Sequence, residues 1–243
     1  MRLKFPSGRA AARGGKKLRG LLLGVAVTCV ILVLLLGSVV ALAPVSVLTR
    51  KADMGPAVVA VYGSLRAGRV ELAGGYRLTW NSRLAVLGVP HLVTGFVLEG
   101  TDTRITGDID TGLAGIRARD VSGRAGPGLT QLVPGAWACE MSARVADVSL
   151  SWGWRRASAS GSVNTPEGTC TKGEQSIAMP PLALLLSNEQ RDAVLSLTDG
   201  EQTSLARVAI RRERLLDITV EPAAAAIFPQ LPRSGPILLT LPF

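Results

Sequence analysis

The sequence has 243 residues and a formal net charge of +9, from 27 basic and 18 acidic side chains. Seven of the basic residues fall within the first 19 positions, which hold no acidic residue, so the rest of the chain is close to neutral. A nucleic-acid-binding domain needs a basic face on its folded part, and this distribution argues against that class of function.

Residues 20–43 form an uncharged stretch of mainly Leu, Val, Ile and Ala. A helix of this length spans about 36 Å, enough to cross a hydrocarbon core of about 30 Å with some tilt. We predict a transmembrane helix here, preceded by the basic tail of residues 1–19. The positive-inside tendency places the tail in the cytoplasm and the remaining chain outside it.

A cleavable signal peptide is the alternative, because a basic head followed by an apolar run fits both. The run is longer than the usual signal-peptide core of about 7–15 residues. Ala41 and Ala43 offer a small-x-small cleavage site, but Pro44 follows it directly and is unfavourable at that position. We therefore expect an uncleaved anchor, and either interpretation exports the domain that follows.

We assign residues 44–56 to a juxtamembrane linker and residues 57–243 to one exported domain. About 200 residues are enough for one domain with its own core. Short β-rich runs begin at 58–62, followed by alternating runs at 69–73 and 76–80. Similar runs lie at 84–89, 92–100, 104–110, 116–123, 136–140, 142–148, 149–154, 158–163, 182–186, 192–198, 205–211 and 215–220. With Gly turns and no long amphipathic helix, this pattern predicts a mainly β, antiparallel domain.

A Gly- and Pro-rich stretch, residues 123–135, separates two loosely similar groups of runs. That arrangement suggests a single sheet, extended or curled, and a two-sheet sandwich is equally compatible with it. Pro166, Gly168 and Cys170 indicate a loop in the second group.

The chain has three cysteines, and the first, Cys29, lies in the apolar segment as an apolar filler. Cys139 and Cys170 both fall in the exported part, where oxidation is possible. A disulfide between them is favoured because the exported part offers no other partner, and two buried free thiols are the alternative.

Few side chains of the exported domain are suited to catalysis or metal binding. The single histidine, His91, has no standard metal-ligand spacing around it and is expected to be structural or solvated. Asp108 and Asp110 share a strand face, where paired carboxylates serve acid–base chemistry or calcium, although a solvated surface is the simpler interpretation. We predict no catalytic residue, no metal and no cofactor.

Trp152 and Trp154 flank Gly153 on one strand face. Two neighbouring tryptophans on one face form either part of a core or a partner-binding ledge. Core packing is the more common role, and both residues remain candidates for a partner contact.

The order of these features resembles a known family. The relevant segments are residues 61–69 (Val-Tyr-Gly-Ser-Leu-Arg-Ala-Gly-Arg), a strand closing on Trp80, the proline-broken run 87–90, and Trp154 before residues 161–163. Together with the basic tail and apolar segment, they are similar to the type II secretion system protein N family, an inner-membrane accessory component. The resemblance covers nearly the whole chain.

The family's best motif is a Gly-Thr-hydrophobic-Trp-x-Gly stretch near the start of the periplasmic domain. Here Ser64 stands in place of the usual Thr and Arg66 in place of the usual Trp. The resemblance implies a non-enzymatic, single-pass inner-membrane protein of a Gram-negative bacterium with a periplasmic β domain. Its expected partners are other inner-membrane or periplasmic subunits of the secretion apparatus and membrane lipids, with no nucleic acid and no small-molecule substrate.

Two further functions fit the sequence. The chain also resembles AsmA-like envelope proteins, in which a curled sheet with an apolar inner face holds acyl chains. A continuous apolar trough in the folded domain would favour this lipid-handling function, and a filled core would favour a docking module. An exported hydrolase is the third alternative, and Ser64, His91 and Asp108 are its available residues.

Overall fold

A computed structural model describes residues 55–242, apart from positions 87, 88, 114, 134–136, 154–156, 212 and 229. The basic tail, the predicted transmembrane segment and nearly all of the predicted linker lie outside the described residues. Within the described ranges, no helix has the length and apolar character needed to span a membrane.

Sixteen strands and three short 3-10 helices make up the regular structure of the described residues. The strands are β1 Val58–Gly63, β2 Ala67–Leu72, β3 Arg77–Ala85, β4 His91–Glu99, β5 Arg104–Gly112, β6 Gly115–Ala125, β7 Ala138–Cys139, β8 Ala143–Gly153, β9 Ala157–Thr165, β10 Gly168–Lys172, β11 Gln175–Met179, β12 Leu182–Glu189, β13 Asp192–Asp199, β14 Ser204–Ile210, β15 Leu215–Val220 and β16 Ile237–Pro242. The 3-10 helices are Ala73–Gly75, Pro127–Leu132 and Pro222–Ala226.

Thirteen of these strands form one antiparallel sheet in the order β1-β2-β3-β4-β5-β6-β8-β9-β12-β13-β14-β15-β16. The sheet is a meander, because each strand pairs with the strand before it in the chain once β7, β10 and β11 are set aside. The mainly β, antiparallel prediction is confirmed. Within the described residues a single large sheet forms instead of the two-sheet sandwich that the sequence also allowed.

The meander gives the large sheet two different ends. At one, which we call the hairpin end, short connections join the strands, at 64–66, 86–90, 113–114, 154–156, 190–191 and 211–214. At the other, the loop end, the connections include all three 3-10 helices and are mostly longer, at 73–76, 100–103, 126–142, 166–181, 200–203 and 221–236.

Two connections at the loop end together form a second, three-stranded sheet in the order β11-β10-β7. Cys139 pairs directly with Cys170 in this sheet, and the two form a disulfide. The predicted loop at Pro166, Gly168 and Cys170 is wrong for the last two residues, which belong to β10; this strand forms a hairpin with β11 that turns at Gly173 in a left-handed conformation (φ +61°). The two short strands of this hairpin were not predicted, because the prolines and glycines around them indicate turns.

Strand β8 is continuous where the sequence pattern predicts two runs, 142–148 and 149–154. A bulge explains the difference, because the pairing of β8 with β9 shifts between Ala146 and Ser149. Asp147 has a positive φ of 48° at this point. An extra residue in a strand interrupts the two-residue alternation on which strand prediction depends.

A buried hydrogen-bond network fastens the loop end. The Asp102 carboxylate accepts hydrogen bonds from the Tyr76 hydroxyl (2.7 Å), the Thr103 hydroxyl (2.9 Å) and the Gly128 amide (2.9 Å). The Gly126 amide donates to the Thr103 hydroxyl at 2.8 Å. The tyrosine is only 4% exposed. The network joins three connections that are distant in sequence.

The same contacts shift two pKa values. The hydrogen bond from Tyr76, followed by that from the Gly128 amide, lowers the pKa of Asp102. Burial, followed by the bond to Asp102, raises the pKa of Tyr76. A carboxylate with a lowered pKa in the folded state stabilises it above the pKa of the unfolded chain, about 3.9, and this stabilisation disappears as the pH falls further.

Replacing Asp102 by Ala is expected to lower the free energy of unfolding by about 1–3 kcal/mol at pH 7, because it leaves buried donors without their acceptor. Urea unfolding between pH 3 and 7 measures this, and the difference from the unmodified chain should shrink below pH 4. Glu167→Ala, at an exposed position of the same end, is the control. A loss that stays constant across this pH range would contradict the assignment.

Candidate functional site

One face of the large sheet carries a row of apolar side chains that only a glycine interrupts. Directly paired residues of neighbouring antiparallel strands lie on the same face, and the register links one residue from each of the thirteen strands. This apolar row consists of Val61, Val70, Leu78, Leu98, Ile105, Gly123, Val145, Val163, Leu184, Leu197, Ala206, Val220 and Ile237. At about 4.8 Å per strand, the row extends for about 58 Å along the sheet.

All thirteen residues of the apolar row are half-buried, and none is fully buried. An apolar sheet face normally packs against another layer, which buries the centre of each strand. Among the described residues, the small sheet and the segment 222–231 pack on this face close to Leu197 and Val220. Leu184 packs against a second buried cluster on the same face, formed by Ala157, Ala159, Leu186 and Ala193. The remaining length of the row is therefore available to an apolar ligand or partner.

The opposite face is polar along the neighbouring row. Its paired residues are Glu71, Arg77, Glu99, Arg104, Arg124, Arg144 and Asn164. Arg104 forms an ion pair with Glu99 at 3.5 Å. The alternation of apolar and charged side chains orients the sheet, so that one face suits water and the other does not.

Aromatic rings and glycines continue the apolar face one row closer to the hairpin end. Gly68 pairs with Trp80, which pairs with Phe96, which pairs with Gly107. A Cβ atom at Gly68 would lie 2.4 Å from the Trp80 ring, and one at Gly107 would lie 3.1 Å from the Phe96 ring. The two glycines thus leave room for the rings to lie flat over neighbouring strands and widen the apolar surface.

Two contacts between strands that are not neighbours in the sheet show that it curls towards this face. Cα atoms of β9 and β13 come within 8 Å although β12 lies between them, whereas two strand spacings in a flat sheet are about 9.6 Å. The Arg214 guanidinium lies 5.6 Å from the centre of the Trp152 ring, although three strands separate β8 from β14. Bulges, which bend strands, interrupt the β5–β6, β6–β8 and β8–β9 pairs.

The apolar row ends in a cavity of about 400 Å³ near the loop end. Leu197, Ala206 and Val220 belong to the row and line this cavity, and Met179 and Ile227 cover it from the small sheet and the segment after Pro222–Ala226. Its lining is almost entirely apolar, and its volume is in the range of small-molecule sites. An apolar chain can therefore pass from the open face into a covered pocket without meeting a charge.

The cysteines of the sequence analysis belong to the cover of this cavity. Cys170 is 4% exposed and packs with Met179, Leu205, Ala224 and Ile227. The predicted disulfide with Cys139 is confirmed, and it holds the small sheet together.

Trp152 is half-buried on the apolar face, where it packs against the cluster of Ala157, Ala159, Leu186 and Ala193. This position favours the core-packing alternative for its ring, while one side contacts Arg214. Trp154 lies outside the described residues, so its predicted partner contact stays a prediction.

The three candidate hydrolase residues lie apart. His91 pairs with Gly112 at the hairpin end, whereas Asp108 pairs with Gly95, four residues along the strand. The His91 ring contacts the Val89 carbonyl at 3.0 Å, and the Ser64 hydroxyl contacts the Ala67 carbonyl at 3.4 Å. These local contacts give no nucleophile–base pair.

The two carboxylates predicted on one strand face, Asp108 and Asp110, make different contacts. Asp110 forms an ion pair with Arg119, whose Nε lies 2.8 Å from a carboxylate oxygen. A carboxylate oxygen of Asp108 lies next to Gly95 on the neighbouring strand, where a Cβ atom at Gly95 would be 3.2 Å from it. Within the described part of the chain, no group of three or more His, Cys, Asp or Glu side chains is arranged to hold a metal ion.

Comparison with known proteins found no matching family model, no matching curated protein and no matching solved structure. The candidate site is a curled, apolar, partly covered sheet face about 58 Å long. Sequence inspection missed the continuity of this face, although its signal is present as an apolar residue in every strand.

Proposed function

We propose that this chain is a non-enzymatic envelope protein that binds lipid acyl chains along the apolar face of its curled sheet. The single observation that carries the proposal is the apolar row, which crosses all thirteen strands and stays half-buried throughout. Water contact with so large an apolar surface is unfavourable by about 25 cal/mol per Å², so an apolar occupant stabilises it.

The shape of the site favours a long flexible occupant over a compact one. The open face leads into the covered cavity beside Leu197 and Val220, and a hydrocarbon chain can follow the curl from one to the other. The polar opposite face, with Arg77 and Arg124 exposed, keeps the outer side of the sheet in water.

The proposal includes the location inferred from sequence. The uncharged segment 20–43 anchors the chain in the inner membrane with residues 1–19 in the cytoplasm, and the sheet works in the periplasm. The disulfide supports an oxidising compartment. In this location the bound chains would come from membrane phospholipids.

Photocrosslinking in intact cells tests the lipid site. A benzophenone amino acid replaces Val145, in the apolar row, and in a second variant replaces its neighbour Arg144, which is exposed on the opposite face. We expect phospholipid adducts from position 145, identified by mass spectrometry, at least tenfold above those from position 144. Equal yields at the two positions, or protein adducts alone at position 145, would contradict the proposal.

A second candidate is the secretion-machine component that the sequence resembles, in which the sheet docks onto another subunit. Strand β16 favours this docking function. It lies at the edge of the large sheet, and its side chains Leu238, Leu239 and Leu241 are 71%, 48% and 48% exposed. Exposed edge strands pair readily with strands of a partner. In the same experiment, subunit adducts from a benzophenone at Leu239, without lipid adducts at Val145, would favour this candidate.

A further inference from the structure

The hairpin end of the sheet exposes a group of large apolar side chains. Leu84, Val86 and Val89 lie at the β3–β4 connection with exposures of 66%, 66% and 59%. Leu113 and Ile116 lie at the neighbouring β5–β6 connection with exposures of 81% and 54%. By contrast, the described connections of the loop end expose one large apolar side chain, Val133, at 61%, and the strand ends beside them expose two, Val59 and Leu238, at 68% and 71%, on the outermost strands β1 and β16.

The two ends also differ in charge. The described connections of the hairpin end carry four basic residues and one acidic residue, a balance of +3: Arg66, Arg191, Arg211, Arg214 and Glu213. Those of the loop end carry two basic and six acidic residues, a balance of −4: Lys172, Arg233, Asp102, Glu140, Glu167, Glu174, Glu201 and Glu221. Arg211 forms an ion pair with Asp217, and the described connections of the hairpin end stay basic without it.

Two more arginines flank the apolar group directly. Arg83 precedes Leu84 and Arg117 follows Ile116, and both arginines are exposed. Because strand neighbours point to opposite faces, the cations surround the apolar tips without covering them. A groove of about 730 Å³ lies between the tips, lined by Val89, Leu113, Ile116 and Trp152. Asp110, which pairs directly with Arg117, is the acidic residue of this lining.

Exposed apolar tips surrounded by arginines match one surface better than any other. Apolar side chains gain by entering the boundary between head groups and acyl chains, and each cation near an anionic leaflet contributes about 1 kcal/mol. We propose that the hairpin end docks on a bilayer containing anionic phospholipid. This inference goes beyond acyl-chain binding, because it concerns contact with a membrane surface and does not need the apolar row.

Vesicle flotation of the full chain tests the docking. The chain is held in POPC nanodiscs, which accommodate its apolar segment, and is mixed with vesicles of POPC alone or of POPC with 30% POPG. We expect the nanodisc-held chain to float at least tenfold more with the POPG vesicles. Higher salt should weaken this binding, since surface electrostatics are screened.

Paired variants locate the contact. Val86→Asp combined with Leu113→Asp should reduce flotation at least tenfold. Arg83→Glu or Arg117→Glu should reduce it about thirtyfold each, because each reversal changes the charge by two at about 1 kcal/mol per charge. The matched controls are Val133→Asp and Arg144→Glu, exposed positions of the same residue types away from the hairpin end. Neither should change flotation, and nor should Val163→Asp in the apolar row.

Three results would overturn the docking proposal. Equal flotation with neutral and anionic vesicles would remove the role of the arginines. An equal loss with Val133→Asp would show that the effect is not local to the hairpin end. Pairing of nanodiscs without vesicles, abolished by Val86→Asp with Leu113→Asp, would identify a second copy of the chain as the occupant.

Discussion

Replacing Cys139 and Cys170 together by alanine is expected to lower the free energy of unfolding by roughly 3–4 kcal/mol. The bond closes a loop with a sequence separation of 31 residues, and its loss restores freedom to the unfolded chain. It also removes a contact from the cluster of Met179 and Ile227 that covers the cavity. We therefore expect the cavity cover to loosen before the large sheet unfolds.

Urea unfolding of the full chain, with and without dithiothreitol, measures this effect. Reduction of the unmodified chain should reproduce the loss seen in the double variant, and the double variant should not respond to reductant. Cys29→Ala is the control, since this third cysteine has no place in the bond. Identical midpoints for the oxidised and reduced chains would contradict a stabilising role for the disulfide.

The sequence is sufficient to predict the class of the fold. Alternating runs such as residues 104–110 and 116–123 became β5 and β6. The elements that were missed are β10, β11 and β16. These strands lie among prolines or glycines, whose local turn signals outweigh the alternation of a five- or six-residue strand.

The apolar row was less predictable, because it depends on register. A slip of one residue in any strand pair would transfer that strand's apolar side chains to the other face. Several pairs contain bulges, at Asp120 and Asp147 among others, and a bulge changes the face of all later residues in the strand. Only the pairing of thirteen strands shows that Ile105, Val145 and Leu184 belong to one surface.

The register also keeps the three candidate hydrolase residues apart. Ser64, His91 and Asp108 are each placed by a different strand or turn, and the meander keeps sequence-distant strands apart instead of folding them onto one another. A fold of this kind builds its special surfaces from rows and ends of the sheet. The apolar row and the hairpin end are such surfaces, and neither needs a reactive side chain.

Replacing Val163 by Asp tests whether the apolar face is open to water or is a closed core. Val163 lies in the middle of the apolar row, paired with Val145 and Leu184, and it is half-buried. On an open face, the carboxylate keeps its contact with water, so the free energy of unfolding should fall by only about 1–2 kcal/mol. Within a closed core, an unpaired carboxylate would cost more than about 4 kcal/mol.

The same variant should remove lipid from the site. A charge in the path of a hydrocarbon chain must be desolvated when the chain binds, so phospholipid adducts from a benzophenone at Val145 should fall at least tenfold. Asn164→Asp places the same charge on the next residue, exposed on the opposite face, and should leave both the adducts and the stability unchanged. If Val163→Asp unfolds the domain while Asn164→Asp does not, the face is a closed core, and the sheet is a docking module instead of a lipid carrier.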